Sequence, residues 1–144
     1  MILIDANLLI YAGVSEMAEH AAASGWLREQ VAAGHRIGIP WPSFLAFLRI
    51  TTNPRLFARP GTVNEAWRFV EDWLRLPMVW IPGPTERHGQ ILGRLLRDAR
   101  AQGNLVVDCH LAALAIEHGL QLCTTDGDFA RFEGLRWVNP LRGR

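Results

Sequence analysis

Apolar residues along this chain switch between short continuous runs and a spacing of three to four residues, and the alternation predicts strands and helices in turn. Residues 2–4 (Ile-Leu-Ile) form an apolar run that stops at Asp5, the pattern of a buried strand delivering a carboxylate at its C-terminal end. Ala6-Asn7-Leu8-Leu9-Ile10 behind it also reads as buried. Ala23, Trp26, Leu27, Gln30 and Val31 then recur at helical spacing, with Gly34 as the stop. Residues 36–39, closed by Pro40, predict a second strand. Phe44, Phe47, Leu48 and Thr51 return to helical spacing until Asn53-Pro54. Thr62 followed by Glu65 is a capping box, and Val63, Ala66, Trp67, Val70 and Leu74 trace the stripe of the helix it opens, which Pro77 ends. Residues 78–81 predict a third strand, and Thr85 caps a helix with the stripe His88, Ile91, Leu92, Leu95 and Ala99. After a turn at Gly103-Asn104, with Asn104 as cap, residues 105–118 predict a helix stopped by Gly119. Residues 120–124 and 135–138 are the last strands, either side of the turn Thr125-Asp126-Gly127-Asp128.

Strands alternating with helices from end to end predict one three-layer α/β domain over residues 1–144, with a mostly parallel central sheet. In such sheets the ligand crevice lies beyond the C-terminal ends of the strands, where Asp5 and Asp126 both fall.

Composition narrows the class. A chain of 144 residues, 49% hydrophobic and 20% charged, has apolar material enough for a core and too little for a membrane protein. Its longest uncharged stretch, from Ile37 to Leu48, holds Pro40 and Pro42 and falls well short of the roughly 20 residues that span a bilayer. No basic region precedes the N-terminal apolar run, which meets an acid at Asp5, so a cytoplasmic location without membrane attachment is expected. Cys109 and Cys123 lack metal-ligand spacing and read as buried free thiols. The net charge of +1 exerts no global pull on nucleic acid, and all 15 basic residues are arginine. That bias reads first as codon usage. The missing lysine also closes two functions, a Walker A nucleotide site and a phosphoacceptor receiver domain.

The acids carry the chemistry. Of six aspartates, Asp5, Asp108, Asp126 and Asp128 stand in apolar or turn contexts and not on charged faces. Each has a structural explanation: helix capping in a first turn for Asp108, turn chemistry for Asp126 and Asp128. Together they pose a problem, because acids meeting in one crevice repel one another unless a divalent cation holds them. Oxygen ligands alone suit Mg²⁺ or Mn²⁺ better than zinc, and the chemistry expected of such a centre is phosphodiester hydrolysis.

The stretches Ile4-Asp5-Ala6-Asn7-Leu8-Leu9, Gly103-Asn104-Leu105-Val106-Val107-Asp108 with Leu111-Ala112-Ala113-Leu114-Ala115, and Thr125-Asp126-Gly127-Asp128-Phe129 resemble PIN domains, specifically VapC toxins of type II toxin-antitoxin systems. Residues 47–55, Phe-Leu-Arg-Ile-Thr-Thr-Asn-Pro-Arg, resemble one VapC subgroup. The resemblance implies an α/β/α PIN fold and a Mg²⁺- or Mn²⁺-dependent endoribonuclease acting on RNA such as tRNA or rRNA. It also implies a homodimer and inhibition by a VapB antitoxin. Asp5, Asp108 and Asp126 match the family's metal-binding acids, and Asp128 matches a further catalytic acid of some members. The family's usual glutamate after the second strand is absent; Ala46 aligns there. A catalytically weak or inert RNA- or antitoxin-binding module is therefore the alternative, and a DNA-directed nuclease ranks third.

Among the neighbours, Asn7 and Thr125 are candidates to orient a carboxylate or bind a phosphate, against ordinary capping. Arg49 and Arg55 bracket the 51–54 turn as candidate phosphate forks. His110 reads as a hydrogen-bonded structural histidine and not as a general base. Trp26, Trp67, Trp80 and Trp137 read as core, leaving Trp41 and Trp73 as the tryptophans for a surface or dimer interface.

Overall fold

The N-terminal apolar run is strand β1 (Ile2–Ile4), and its period of two sorts the core into halves. Ile2 and Ile4 join Leu8, Leu9, Trp26, Leu27, Phe44 and Phe47 on one side. Leu3 joins Leu95, Cys109, Leu114, Leu122 and Phe129 on the other. The computed structural model describes all 144 residues, Met1–Arg144. Four further strands, β2 (Ile37–Gly38), β3 (Val79–Trp80), β4 (Gln121–Cys123) and β5 (Trp137–Val138), complete a sheet of order β3-β2-β1-β4-β5. Every pair is parallel.

Six helices cover the two faces. Helices α1 (Ala6–Gly13), α2 (His20–Ala32), α3 (Trp41–Thr51) and α4 (Val63–Leu74) pack on the Ile4 side, and α5 (His88–Asp98) and α6 (Asn104–His118) on the Leu3 side. The three-layer α/β/α expectation holds. The chain steps outward from β1 to β2 and β3, then returns to place β4 on the other flank of β1, so the direction of winding reverses between β1 and β4. That switch point is where open parallel sheets form a crevice.

Four local expectations need correction. Residues 6–13 form helix α1 directly after β1, so the apolar run continues as a helix facing the sheet, with Leu8, Leu9 and Ile10 buried. Asn104 is the first residue of α6 and caps nothing; Gly103 precedes it at φ +60°, a backbone conformation open to glycine. Helix α5 starts at His88, and Thr85 instead accepts a hydrogen bond from the Arg87 amide (3.2 Å) in the turn before it. Trp67 is 40% exposed. The inward stripe of α4 keeps the predicted Ala66 and Val70 but flanks them with Phe69 and Trp73 in place of Val63, Trp67 and Leu74. Thr62 does cap α4, accepting from the Glu65 amide at 3.1 Å.

The stop at Gly119 is conformational: φ is +66° and no atom lies within 4 Å of where a Cβ would sit. Gly119→Ala is expected to cost about 1 kcal/mol, lowering the melting temperature by about 3 °C, with no steric component. An unchanged melting temperature in a thermal scan would refute this.

Candidate active site

Asp5 is the first residue beyond β1, and its position follows from two constraints. Its amide donates to the Cys123 carbonyl (3.1 Å), extending the β1–β4 ladder by one bond, and its side chain then caps α1, accepting from the Ala6 amide at 2.7 Å. The other carboxylate oxygen accepts from Thr124 Oγ1 at 2.7 Å and Asn7 Nδ2 at 3.2 Å. Thr124, fully buried, is the hub: its hydroxyl also accepts from Asn7 Nδ2 (3.0 Å) and from the Asp126 amide (3.0 Å). One side chain thus ties the end of β4 to the end of β1 and turns the chain toward Asp126. Asp126 caps the 3-10 helix Gly127–Arg131, accepting from the Asp128 amide at 2.8 Å.

Asp108 arrives from the opposite layer, as the fifth residue of α6. It stands beyond the first turn, so helix capping does not explain it. It shares a cleft of about 280 Å³ with Asp5, Ser43, Ala46, Arg49 and Asn104, beyond the C-terminal end of β1 and between α3 and α6. Ser43 is buried there and donates to the Ile4 carbonyl (2.8 Å), fastening α3 to the end of β1. Ala46, aligned with the family's absent glutamate, lies in the same wall. Arg49 is exposed at the rim, whereas Arg55 belongs to the 53–55 turn, its amide bonded to Asn53 Oδ1.

The electrostatics are one-sided. Burial raises Asp5 above the usual carboxylate range, opposed by the Thr124 and Ala6 bonds and reinforced by Asp126. Asp108 is pushed up to about 6, first by burial and then by the charges of Asp5, Asp126 and Asp128, with Arg131 the opposing cation. Arg131 is itself engaged with Asp128 at 3.6 Å. Asn7 Oδ1 is buried without a hydrogen-bond partner. Surplus negative charge, oxygen donors and an orphaned oxygen fit a hard divalent cation in donor type and charge. As oriented, no three acidic or histidine side chains stand close enough to enclose an ion.

The structure therefore brings Asp5, Asp108, Arg49 and Asn7 to one place, with Asp126 and Asp128 within electrostatic reach. Thr125 enters none of the bonds around Asp5; the residue doing that work is Thr124, which reads in sequence as the buried end of a strand. Ser43 was likewise hidden in an apolar helix. His110 faces away, bonded to His88 Nε2 (3.0 Å), whose Nδ1 meets Glu117 Oε2 at 2.6 Å between α5 and α6. Burial and then the charge of His88 lower the His110 pKa, in keeping with a structural role.

A parallel sheet with an acidic crevice at its switch point is the architecture of the PIN domain, whose family profile matches residues 2–135. Ribonuclease VapC37 of Mycobacterium tuberculosis is 41% identical over 140 residues, covering 97% of each chain. Ribonuclease VapC43 of the same organism is 36% identical over 144 residues, covering 100% of this chain and 98% of the relative. Among solved structures, VapBC2 from Rickettsia felis, bound to a DNA fragment from its promoter, superposes with TM-score 0.71 at 16% identity over 96% of this chain and 98% of that one. FitAcB from Neisseria gonorrhoeae gives 0.68 at 21% identity over 97% and 98%. These likenesses fix the fold, and the sequence relatives fix the family: the chain belongs to the VapC family of PIN-domain proteins.

Proposed function

We propose that residues 1–144 act as a single PIN domain, an endoribonuclease toxin that hydrolyses phosphodiester bonds in RNA in the cytoplasm, as a homodimer, until a VapB-type antitoxin neutralises it. The observation that carries the reading is the gathering of Asp5, Asp108, Asp126 and Asp128 around one crevice, where burial first and then the charges of the other three lift Asp108 to about 6 beside the cleft it shares with Asp5. The VapC relatives carry the name ribonuclease, and structural neighbours are toxin-antitoxin assemblies.

In this reading Asp5, Asp108 and Asp126 hold Mg²⁺ or Mn²⁺. When bound, the cation supplies positive charge against the non-bridging oxygens of the phosphodiester and makes a water more acidic. Thr124 and Asn7 hold the Asp5 carboxylate in register. Arg49 at the cleft rim presents a planar fork to a neighbouring phosphate. Asp128 supplies a fourth acid at the exposed edge, next to Asp126.

Incubating a small-RNA pool with the purified chain in Mg²⁺, Mn²⁺ or EDTA, beside matched DNA oligonucleotides and the Asp5→Asn variant, tests this. Cutting of RNA alone, lost in EDTA and in the variant, is expected. RNA left intact with every metal would overturn it. Under this reading Ala46→Glu changes the cleavage rate less than about threefold, because four acids already suffice; a rise well beyond that, measured on the same substrate, would mark a site disabled by its missing glutamate.

A further inference from the structure

Helix α5 presents two unlike faces. His88, Leu92, Leu95 and Ala99 turn toward α6 and the core, whereas Arg87, Gln90, Arg94 and Arg97 fall in one row at intervals of three and four residues on the outer side. The row lines, with Ile91, an open groove of about 410 Å³ that contains no acidic residue. No carboxylate comes within 4.0 Å of these guanidinium groups, although Asp98 stands one turn beyond Arg94. Arg94 reaches past its own helix, its Nη2 lying 3.9 Å from a Cβ built on Gly134, and still leaves Glu133 unpaired. Elsewhere Arg75, Arg131 and Arg144 all find acids.

The charge is concentrated here. Residues 87–100 hold four arginines and one acid, +3 within a chain of net charge +1, so the remainder is −2. Like charges three or four residues apart disfavour a helix by a few tenths of a kcal/mol per pair, roughly 0.2–0.5. Arg87 repays part of that, its Nη2 donating to the Glu117 carbonyl near the end of α6 (3.0 Å). Arg94 and Arg97 make no such bond.

The row also has a direction. Thr85 and His88, at the start of α5, meet Glu117 near the end of α6, and the short connection 99–103 joins the end of α5 to the start of α6, so the two helices run antiparallel. Arg97 therefore lies toward the end of the layer that delivers Asp108, and the row leads away from it for about 15 Å, ten residues of helical rise. A line of planar, unneutralised forks on the layer that also carries Asp108 complements a chain of phosphates.

We propose that the Arg87-Gln90-Arg94-Arg97 face of α5 is a second RNA-binding surface, which grips the phosphodiester backbone of the substrate outside the cleft. It rests on the ribonuclease reading and adds to it where the strand runs once it leaves the acids. With overall charge near neutral, this row adds to Arg49 the larger share of the salt-dependent part of RNA affinity.

The test compares wild type, R94Q/R97Q and a charge-matched control, R28Q/R68Q, whose arginines are exposed on other helices and form no ion pair. Binding of a labelled single-stranded oligoribonucleotide is followed in EDTA across a salt series, and cleavage of the same RNA is followed with metal. Each phosphate contact contributes about 0.7 to the slope of log affinity against log salt, so R94Q/R97Q should flatten it by about 1.4, a roughly 25-fold weaker affinity at about 0.1 M salt. In cleavage the loss should appear as a raised KM, with the control near wild type. Wild-type cutting with an unchanged slope in R94Q/R97Q overturns the surface alone, leaving the arginines to an acidic protein partner. Equal losses in both double variants overturn it too, as a nonspecific charge effect. A wild type that neither binds nor cuts RNA overturns the ribonuclease reading and this surface with it.

Discussion

Replacing Asp108 by asparagine is expected to abolish cleavage, by on the order of 10³-fold, and at the same time to raise the melting temperature of the metal-free protein at neutral pH. The two effects share one cause. Burial and the neighbouring charges of Asp5, Asp126 and Asp128 push the Asp108 carboxyl up to about 6 from 3.8. Between those values the folded chain holds a proton that the unfolded chain has released, so stability falls as pH rises through the window. Below about pH 4 both states are protonated and nothing is lost; above about pH 6 the whole penalty is present. Asparagine carries no charge and escapes it. Because Asp108 is only half-buried, solvent screening reduces the gain to on the order of 1 kcal/mol, or about 3 °C. Thermal scans in EDTA at pH 7.5 and pH 4 should show D108N above wild type at the first and level with it at the second. Manganese should then stabilise wild type, by about 2.7 kcal/mol at a hundred times its dissociation constant, and leave D108N unmoved. A variant that still cuts within tenfold of wild type, or that melts lower at pH 7.5, would place Asp108 among structural residues.

This opposition of stability and activity explains which parts of the site were legible in the sequence. A carboxylate that ends an apolar run or interrupts an apolar helix conflicts with its local context, and that conflict made Asp5 and Asp108 conspicuous. The supporting residues create no conflict. Thr124 and Ser43 are small and β-compatible or helix-tolerant, and their hydroxyls bond to partners 119 and 39 residues away, so nothing nearby in sequence reports them. Helix α1 is not legible for the opposite reason: the short, largely apolar stretch Ala6-Asn7-Leu8-Leu9-Ile10 beside a strand fits either period, and only the sheet behind it selects the helix. The 3.6-residue period admits two adjacent rows on α4, one with Trp67 inward and one without; packing of Phe69 on Phe47 and beside Gly13 of α1 selects the row holding Phe69 and Trp73. The rank order of the strands was not readable either. Alternation of elements implies parallel strands, but the jump that sets β4 against β1, and thereby brings Asp126 toward Asp5, depends on long-range pairing.

Thr124→Val should be the most damaging change that leaves every acid in place. Valine keeps the shape and removes a hydroxyl that donates to Asp5 Oδ2 and accepts from Asn7 Nδ2 and the Asp126 amide. Three partners lose their bond at once, and one is a buried carboxylate whose pKa that bond holds down. The expected cost is roughly 1–3 kcal/mol in stability, and a 10–100-fold loss in cleavage or metal affinity, the usual effect of freeing a carboxylate from its orienting partner. A purely structural threonine would give the first effect without the second. Serine separates the two: T124S retains the hydroxyl, so its metal affinity and rate should return to within a few-fold of wild type even though it packs less well at the lost methyl. Thr125→Val supplies the contrast. Thr125 lies one residue nearer the Asp126 turn, beyond the end of β4, and makes no hydrogen bond to Asp5, so its loss should leave both quantities unchanged. Manganese titration with melting as readout, alongside cleavage, measures all three variants. Equal damage from T124V and T125V would show that the turn as a whole, and not the Thr124 hydroxyl, positions the acids.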